Sequence, residues 1–166
     1  MEDLGEDCIY FKNVITSAPS TIMSVSAMMT SVSAIYQSRD YQSFDYREEY
    51  FSSFPTILSE QNYHIYSLIF FPEGRAFLKN IFQNTCEEFW EGKYNENSFW
   101  TNDQMNELLE SVLNKGLKEP FFLYVHYNCR NDYNTNEKIK NGIEILKRNK
   151  LFHESVFILN SDHGYP

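Results

Sequence analysis

The sequence predicts an α/β fold, with a mainly parallel sheet covered by helices on both faces. Two observations predict it. Four short segments rich in aromatic and β-branched residues, at 8–14, 64–70, 121–126 and 155–159, are continuously apolar rather than alternating, the pattern of strands buried on both faces. Segments with helical spacing lie between them, so strands alternate with helices and need crossover connections.

Taken in order, residues 8–14 give the first strand. Residues 21–32 read as a helix, because Ile22, Val25, Met28, Met29 and Val32 share one stripe while Ser and Thr interleave on the other face. Residues 54–62 read as a second helix, with Pro55 near a first turn where its missing N–H is harmless. The strand at 64–70 leads into a helix at 73–83. Residues 84–101, with Trp90 and Trp100 among Glu and Asn, read as a long surface excursion, a lid or a packing flap. Helices at 102–114, where Asp103 suits the first turn, and at 136–150 flank the strand at 121–126. The strand at 155–159 comes last. Neither an internal repeat nor a linker interrupts the pattern, so residues 1–166 read as a single domain.

Composition narrows the function. The 166 residues carry 14 Lys and Arg against 23 Asp and Glu, a net charge of −9, with 42% hydrophobic and 17% aromatic residues. A chain of this size buries about two thirds of its unfolded surface, enough for one core, and so many aromatic residues exclude a disordered tail. No Lys and Arg cluster to meet phosphates, so nucleic acid is not an expected partner. Cys8, Cys86 and Cys129 are odd in number and far apart, which fits free thiols rather than a disulfide framework or a zinc finger. The longest apolar run, 65–71, is too short to span a bilayer, and the acidic first residues do not resemble a signal peptide.

Ligands of open α/β sheets gather beyond the carboxyl ends of the strands, which directs attention to residues 16–24, 126–132 and 160–164. The last of these reads Asn160-Ser161-Asp162-His163-Gly164. Adjacent Asp and His at a strand end can face one cation, offering a hard oxygen and a borderline nitrogen. On spacing alone, a turn cap for Asp162 and a hydrogen-bonded surface role for His163 is the simpler reading. At 16–21 the sequence Thr-Ser-Ala-Pro-Ser-Thr runs straight into a helix. A hydroxyl there sits where free N–H groups and the helix dipole favour an anion, so Thr21 is a candidate nucleophile. Ser and Thr are also the preferred N-caps, and a plain cap accounts for the same residues.

The motifs together are more specific. Residues 11–31 resemble, without a gap, the nucleophile segment of the sulfatase-like branch of the alkaline phosphatase superfamily, whose pattern is roughly F-x-N-A-x-T-x-A-P-x-(C/S/T)-x-x-S-x-x-x-(L/M)-(L/M)-T-G. Phe54-Pro-Thr-Ile-Leu-Ser-Glu-Gln-Asn-Tyr63 is similar to its F-P-T-L-A-E helix, Pro120-Phe-Phe-Leu-Tyr-Val-His126 to its P-F-F-L-x-L-H strand, and Ser161-Asp-His-Gly164 to its S-D-H-G metal motif. The resemblance implies a three-layer α/β/α, alkaline phosphatase-like fold. It places Thr21 on the nucleophile, which in the family also touches the metal. Asp162 and His163 fall on two ligands of a divalent ion (zinc, manganese, calcium or magnesium), and His126 on a histidine at the strand end, either a substrate contact or a structural imidazole that donates to a nearby backbone carbonyl. The implied substrate is a phosphate or sulfate ester, either a small molecule or linked to a glycan or lipid.

Departures from the pattern carry information too. Sulfatases follow their nucleophile with x-P-S-R so that it is converted to formylglycine. Here Met23, Ser24 and Val25 follow, and Thr cannot be converted, so hydrolysis by that route is disfavoured. A threonine nucleophile is typical of relatives that transfer or hydrolyse phosphoryl groups. Where many relatives carry D-P-H, this chain has Cys129-Arg130-Asn131; Arg130, with its planar donors, is the candidate replacement in substrate binding. The resemblance further implies a catalytic domain incomplete at both ends, with further metal ligands outside residues 1–166, so the isolated chain is expected to be weak or inactive. The leading expectation is a metal-dependent hydrolase or transferase of phosphate or sulfate esters acting through Thr21. The alternative is a non-catalytic remnant or interaction module that keeps the fold.

Overall fold

A computed structural model of the protein describes residues 9, 11, 13–16, 18–33, 52–69, 81–82, 86–91, 102–127 and 134–162. Among these, three parallel strands, β1 (His64–Ile69), β2 (Cys86–Glu91) and β3 (Phe121–Val125), form a sheet in the order β2-β1-β3. Four helices accompany it: α1 (Thr21–Thr30), α2 (Phe54–Glu60), α3 (Asn102–Asn114) and α4 (Thr135–Arg148). The register runs from His64 opposite Phe121 to Leu68 opposite Val125 on one side of β1. On the other it runs from Ile65 opposite Cys86 to Ile69 opposite Glu91, with an irregularity between Ile65 and Tyr66.

Central position explains the composition of β1. From Ile65 to Ile69 every residue is buried, and the alternation of side chains sends them into two separate cores. Ile65 and Ile69 pack with Val25 and Met29 of α1 and with Ile81 and Phe82, with Leu58 of α2 and Phe122 and Tyr124 of β3 around them. Leu68 packs on the opposite face with Met105, Leu109, Val112 and Leu113 of α3 and Ile145 of α4. Helices therefore cover both faces of a parallel sheet, as the strand and helix patterns predict, and the result is the three-layer α/β/α arrangement that the resemblance implies.

Local chemistry fixes the helix ends. Ser53, fully buried, caps α2 by accepting a hydrogen bond from the Thr56 N–H at 3.2 Å, and Pro55 occupies the first turn. Phe54 meets Phe122 edge-on at 5.5 Å, fastening α2 to β3. α3 and α4 are joined through Asn106, whose amide donates to the Lys138 carbonyl at 2.9 Å and whose carbonyl accepts from the Tyr127 hydroxyl at 2.7 Å. Gly142 of α4 makes room for this junction, since a β-carbon there would collide with the Tyr127 hydroxyl. Burial pushes the Tyr127 pKa up to about 12 and that of the half-buried, free Cys86 thiol likewise to about 12.

The end of α1 yields a prediction. Its C-cap residue, Ser31, lies in the left-handed region at φ 58°, where a β-carbon costs energy and glycine does not. The resembled pattern has glycine at this position. Ser31→Gly should stabilise the protein by about 0.5–1 kcal/mol after the glycine's greater unfolded-state entropy is subtracted. Thermal unfolding of the two proteins checks this, and a lower midpoint for the variant contradicts it.

Three expectations need correction. Residues 155–159 are not a strand: Val156 and Ile158 are 91% and 81% exposed, and no ladder forms along them. Likewise Ile9, Phe11, Asn13 and Val14, the described part of the expected strand at 8–14, carry no strand and are exposed. Branched and aromatic side chains favour a pleated surface only when a neighbouring strand supplies the ladder, and none of the described strands lies beside these segments. The surface excursion expected at 84–101 instead begins with β2, whose backbone pairs with β1. Of the helix expected at 73–83, Ile81 and Phe82 are helical and the rest lies outside the described residues.

Candidate active site

The two ends of the sheet differ in chemistry. At the amino-terminal edge, on the surface, Glu87 lies between Lys118, at 2.8 Å, and His64, and these partners hold its carboxyl below the ordinary carboxylate range, Lys118 most strongly. Of the described candidate residues, Thr21, His126 and Asp162, none is there. The carboxyl edge receives the loop before α1, the residues after β3, and the segment around Asp162.

The chain enters α1 through Ser20, an N-cap in extended conformation whose side chain makes no capping bond. Thr21 is the first helical residue and its side chain is buried. At this end of a helix the leading N–H groups have no partner one turn back and the dipole is positive, a setting suited to anionic oxygens. Within the helix, Ser24 N–H donates to the Ser20 carbonyl at 2.9 Å, closing the first turn.

Thr16 is the hub that joins this turn to the carboxy-terminal segment. Its hydroxyl lies 2.6 Å from the Asp162 carbonyl, 2.9 Å from the Ser24 hydroxyl and 3.0 Å from the Ala18 carbonyl. Each hydroxyl has one proton. The shortest contacts assign that of Thr16 to Asp162, and that of Ser24 to the Ala18 carbonyl at 2.6 Å. Residues 146 positions apart in sequence are thereby tied together at the first turn of α1. A second tie lies further along the helix, where the Asn160 amide donates to the Met28 sulfur at 3.5 Å. Between the two segments runs a groove of about 350 Å³, lined among others by Thr16, Ser24, Met28, Asn160 and Asp162.

Asp162 itself is half-buried, with Oδ2 shut off from solvent. Its negative charge reaches the Tyr124 hydroxyl of β3: burial first, and the Asp162 charge second, push the Tyr124 pKa well above the usual phenol range. Tyr124 in turn stands 3.0 Å from Nδ1 of His126, whose backbone N–H donates to the Leu68 carbonyl at 2.9 Å. The structure thus brings Asp162 to α1 one turn after Thr21 and within electrostatic reach of the Tyr124–His126 pair. Thr21 does not line the groove. His163 and Arg130 lie outside the described residues. Among the described residues no three His, Cys, Asp or Glu side chains stand together as a metal site.

Thr16, Ser24 and Tyr124 were not singled out from the sequence, although all three lie inside the quoted motifs. Their residue types were visible. Their contacts were not, because each depends on elements brought together by the fold.

The donors fit a hard divalent cation in kind, since a carboxylate and a hydroxyl are oxygen ligands and an imidazole is a common nitrogen ligand. Comparison with curated proteins and with solved structures finds no match. A family model described as Sulfatase matches residues 1–134, a span that holds the Thr21 segment, the whole described sheet and His126, while the Asp162 loop lies beyond it. With a match over most of its length and a parallel sheet layered between helices, the chain belongs to the sulfatase family, hydrolases that generally use a divalent metal ion.

Proposed function

We propose that the chain carries part of a metal-dependent catalytic site that hydrolyses or transfers phosphate or sulfate esters through Thr21. One observation supports this reading above the others: the Thr16 hydroxyl seats the Asp162 carbonyl against the first turn of the helix that Thr21 begins, joining two motifs distant in sequence. Asp162, His163 and the Thr21 hydroxyl are the residues that would hold the metal. A bound divalent ion supplies Lewis acidity that lowers the pKa of a hydroxyl it touches.

The chain's own groups do the rest. Thr21 Oγ gives its proton to solvent and attacks phosphorus or sulfur in line, forming an O–P or O–S bond as the ester's own O–P or O–S bond breaks and the departing alkoxide takes a proton from solvent. The N–H groups opening α1 donate to the equatorial oxygens, where negative charge gathers. Water, or an acceptor alcohol, then attacks the Thr21 ester and releases the hydroxyl. His126 and Arg130 contribute substrate contacts, His126 as a hydrogen-bond donor and Arg130 through its planar guanidinium. Threonine cannot be oxidised to formylglycine, which favours phosphate over sulfate esters and small or lipid- or glycan-linked phosphodiesters as substrates.

A non-catalytic module that retains the fold is the second reading, favoured by Cys129-Arg130-Asn131 where many relatives carry D-P-H. Turnover of aryl phosphate diesters and aryl sulfates, measured with each of zinc, manganese, magnesium and calcium, separates the two. Slow, metal-dependent release of the phenol, faster from the phosphodiester, supports catalysis. Absence of release with every metal, together with absence of divalent-ion binding by the chain, supports the non-catalytic module.

A further inference from the structure

Tyr124 is placed to control the imidazole that follows it. Tyr124 and His126 lie two residues apart at the end of β3, so their side chains emerge on the same face of the chain. The Tyr124 ring is stacked on Phe82 at 5.1 Å with an interplanar angle of 24°, and Phe82 is fully buried, which fixes the direction of the hydroxyl. The backbone on the histidine side is fixed as well, by the hydrogen bond from His126 N–H to the Leu68 carbonyl. Between these two anchored groups, the phenol oxygen and Nδ1 are 3.0 Å apart.

The direction of the proton follows from the chemistry of the pair. A neutral imidazole nitrogen is a far better acceptor than a phenol oxygen, and the burial and negative charge that raise the Tyr124 pKa keep the phenol protonated. We propose that Tyr124 is a positioning residue: its hydroxyl donates to Nδ1 of His126 and holds the imidazole in the tautomer that carries its proton on Nε2. A neutral ring fixed this way presents an N–H donor on the side away from Tyr124. Such a donor suits the oxygens of a phosphate or sulfate ester, which only accept, and this last step rests on the function proposed above.

The tautomer is directly observable. Side-chain nitrogen-15 spectra of the labelled protein in mildly alkaline buffer distinguish a protonated from an unprotonated ring nitrogen, and the His126 signals are identified by their loss in His126→Gln. The wild-type protein should show Nδ1 unprotonated and Nε2 protonated. In Tyr124→Phe, which keeps the ring stacked on Phe82, the two nitrogen shifts should move toward each other as both tautomers become populated. A proton on Nδ1 in the wild-type protein overturns the proposal without reference to any variant, and so does an unchanged pattern in Tyr124→Phe. Binding of inorganic phosphate, measured in parallel, should weaken about fivefold in Tyr124→Phe, the worth of about one hydrogen bond. If the tautomer shifts as stated but neither protein binds phosphate, the positioning role of Tyr124 stands and the functional reading fails.

Discussion

Leu68→Ala should destabilise the protein by about 3–4 kcal/mol, one of the largest effects open to a single side chain in this fold. Leu68 is fully buried on the middle strand and packs against Met105, Leu109, Val112 and Ile145, so both α3 and α4 lose a contact at once. Its neighbours are held by the sheet on one side and by the Asn106 junction on the other, which limits how far they can collapse into the space. Since a domain of this kind has only about 5–15 kcal/mol in total, the loss is a large share of its stability. Urea unfolding should show a lower midpoint with an unchanged slope. Val156→Ala is the comparison: the side chain is 91% exposed, and its truncation should stay within about 0.5 kcal/mol of zero. Equal losses in the two variants would contradict the two-core account of the sheet.

The same comparison shows what a linear sequence reveals. β1 and β3 were legible because continuous apolar runs have few alternatives to a covered strand, and α2 and α3 because Pro55 and Asp103 suit their first turns. β2 was not legible. Its residues Cys86–Glu91 mix three glutamates with two aromatic side chains, a composition that an edge strand tolerates and a surface loop shares. The opposite failure occurred at 155–159 and around 8–14, where strand-forming side chains lie without a ladder. Strand preference is a statement about fit to a neighbour, and the neighbour is not written in the segment itself. At the candidate site the residue types were readable, with Thr21, His126 and Asp162 standing in recognisable motifs. The links between them run through Thr16 and Tyr124, and these depend on distances that only the folded chain defines.

Thr21→Ala should lower metal-dependent turnover of a phosphodiester by about a thousandfold or more, because it removes the attacking oxygen while leaving the helix N-terminus in place. Thr21→Ser keeps the hydroxyl and should retain measurable activity. Both changes trim a side chain that is buried at the first helical position, so each variant must be shown to fold. Unfolding midpoints therefore serve as the control. Turnover that survives in Thr21→Ala would assign the chemistry to another group and leave Thr21 as a residue of the helix start.

Titration calorimetry with divalent cations reads out whether the Asp162 segment is held against α1 to bind a metal ion. The wild-type chain and Asp162→Ala should be titrated with zinc, manganese, magnesium and calcium in turn. The wild-type protein should bind at least one of these ions, and the substitution should weaken binding by about a hundredfold or more. Equal affinity in the two proteins, or no binding by either, would contradict a metal-holding role for Asp162 in this chain.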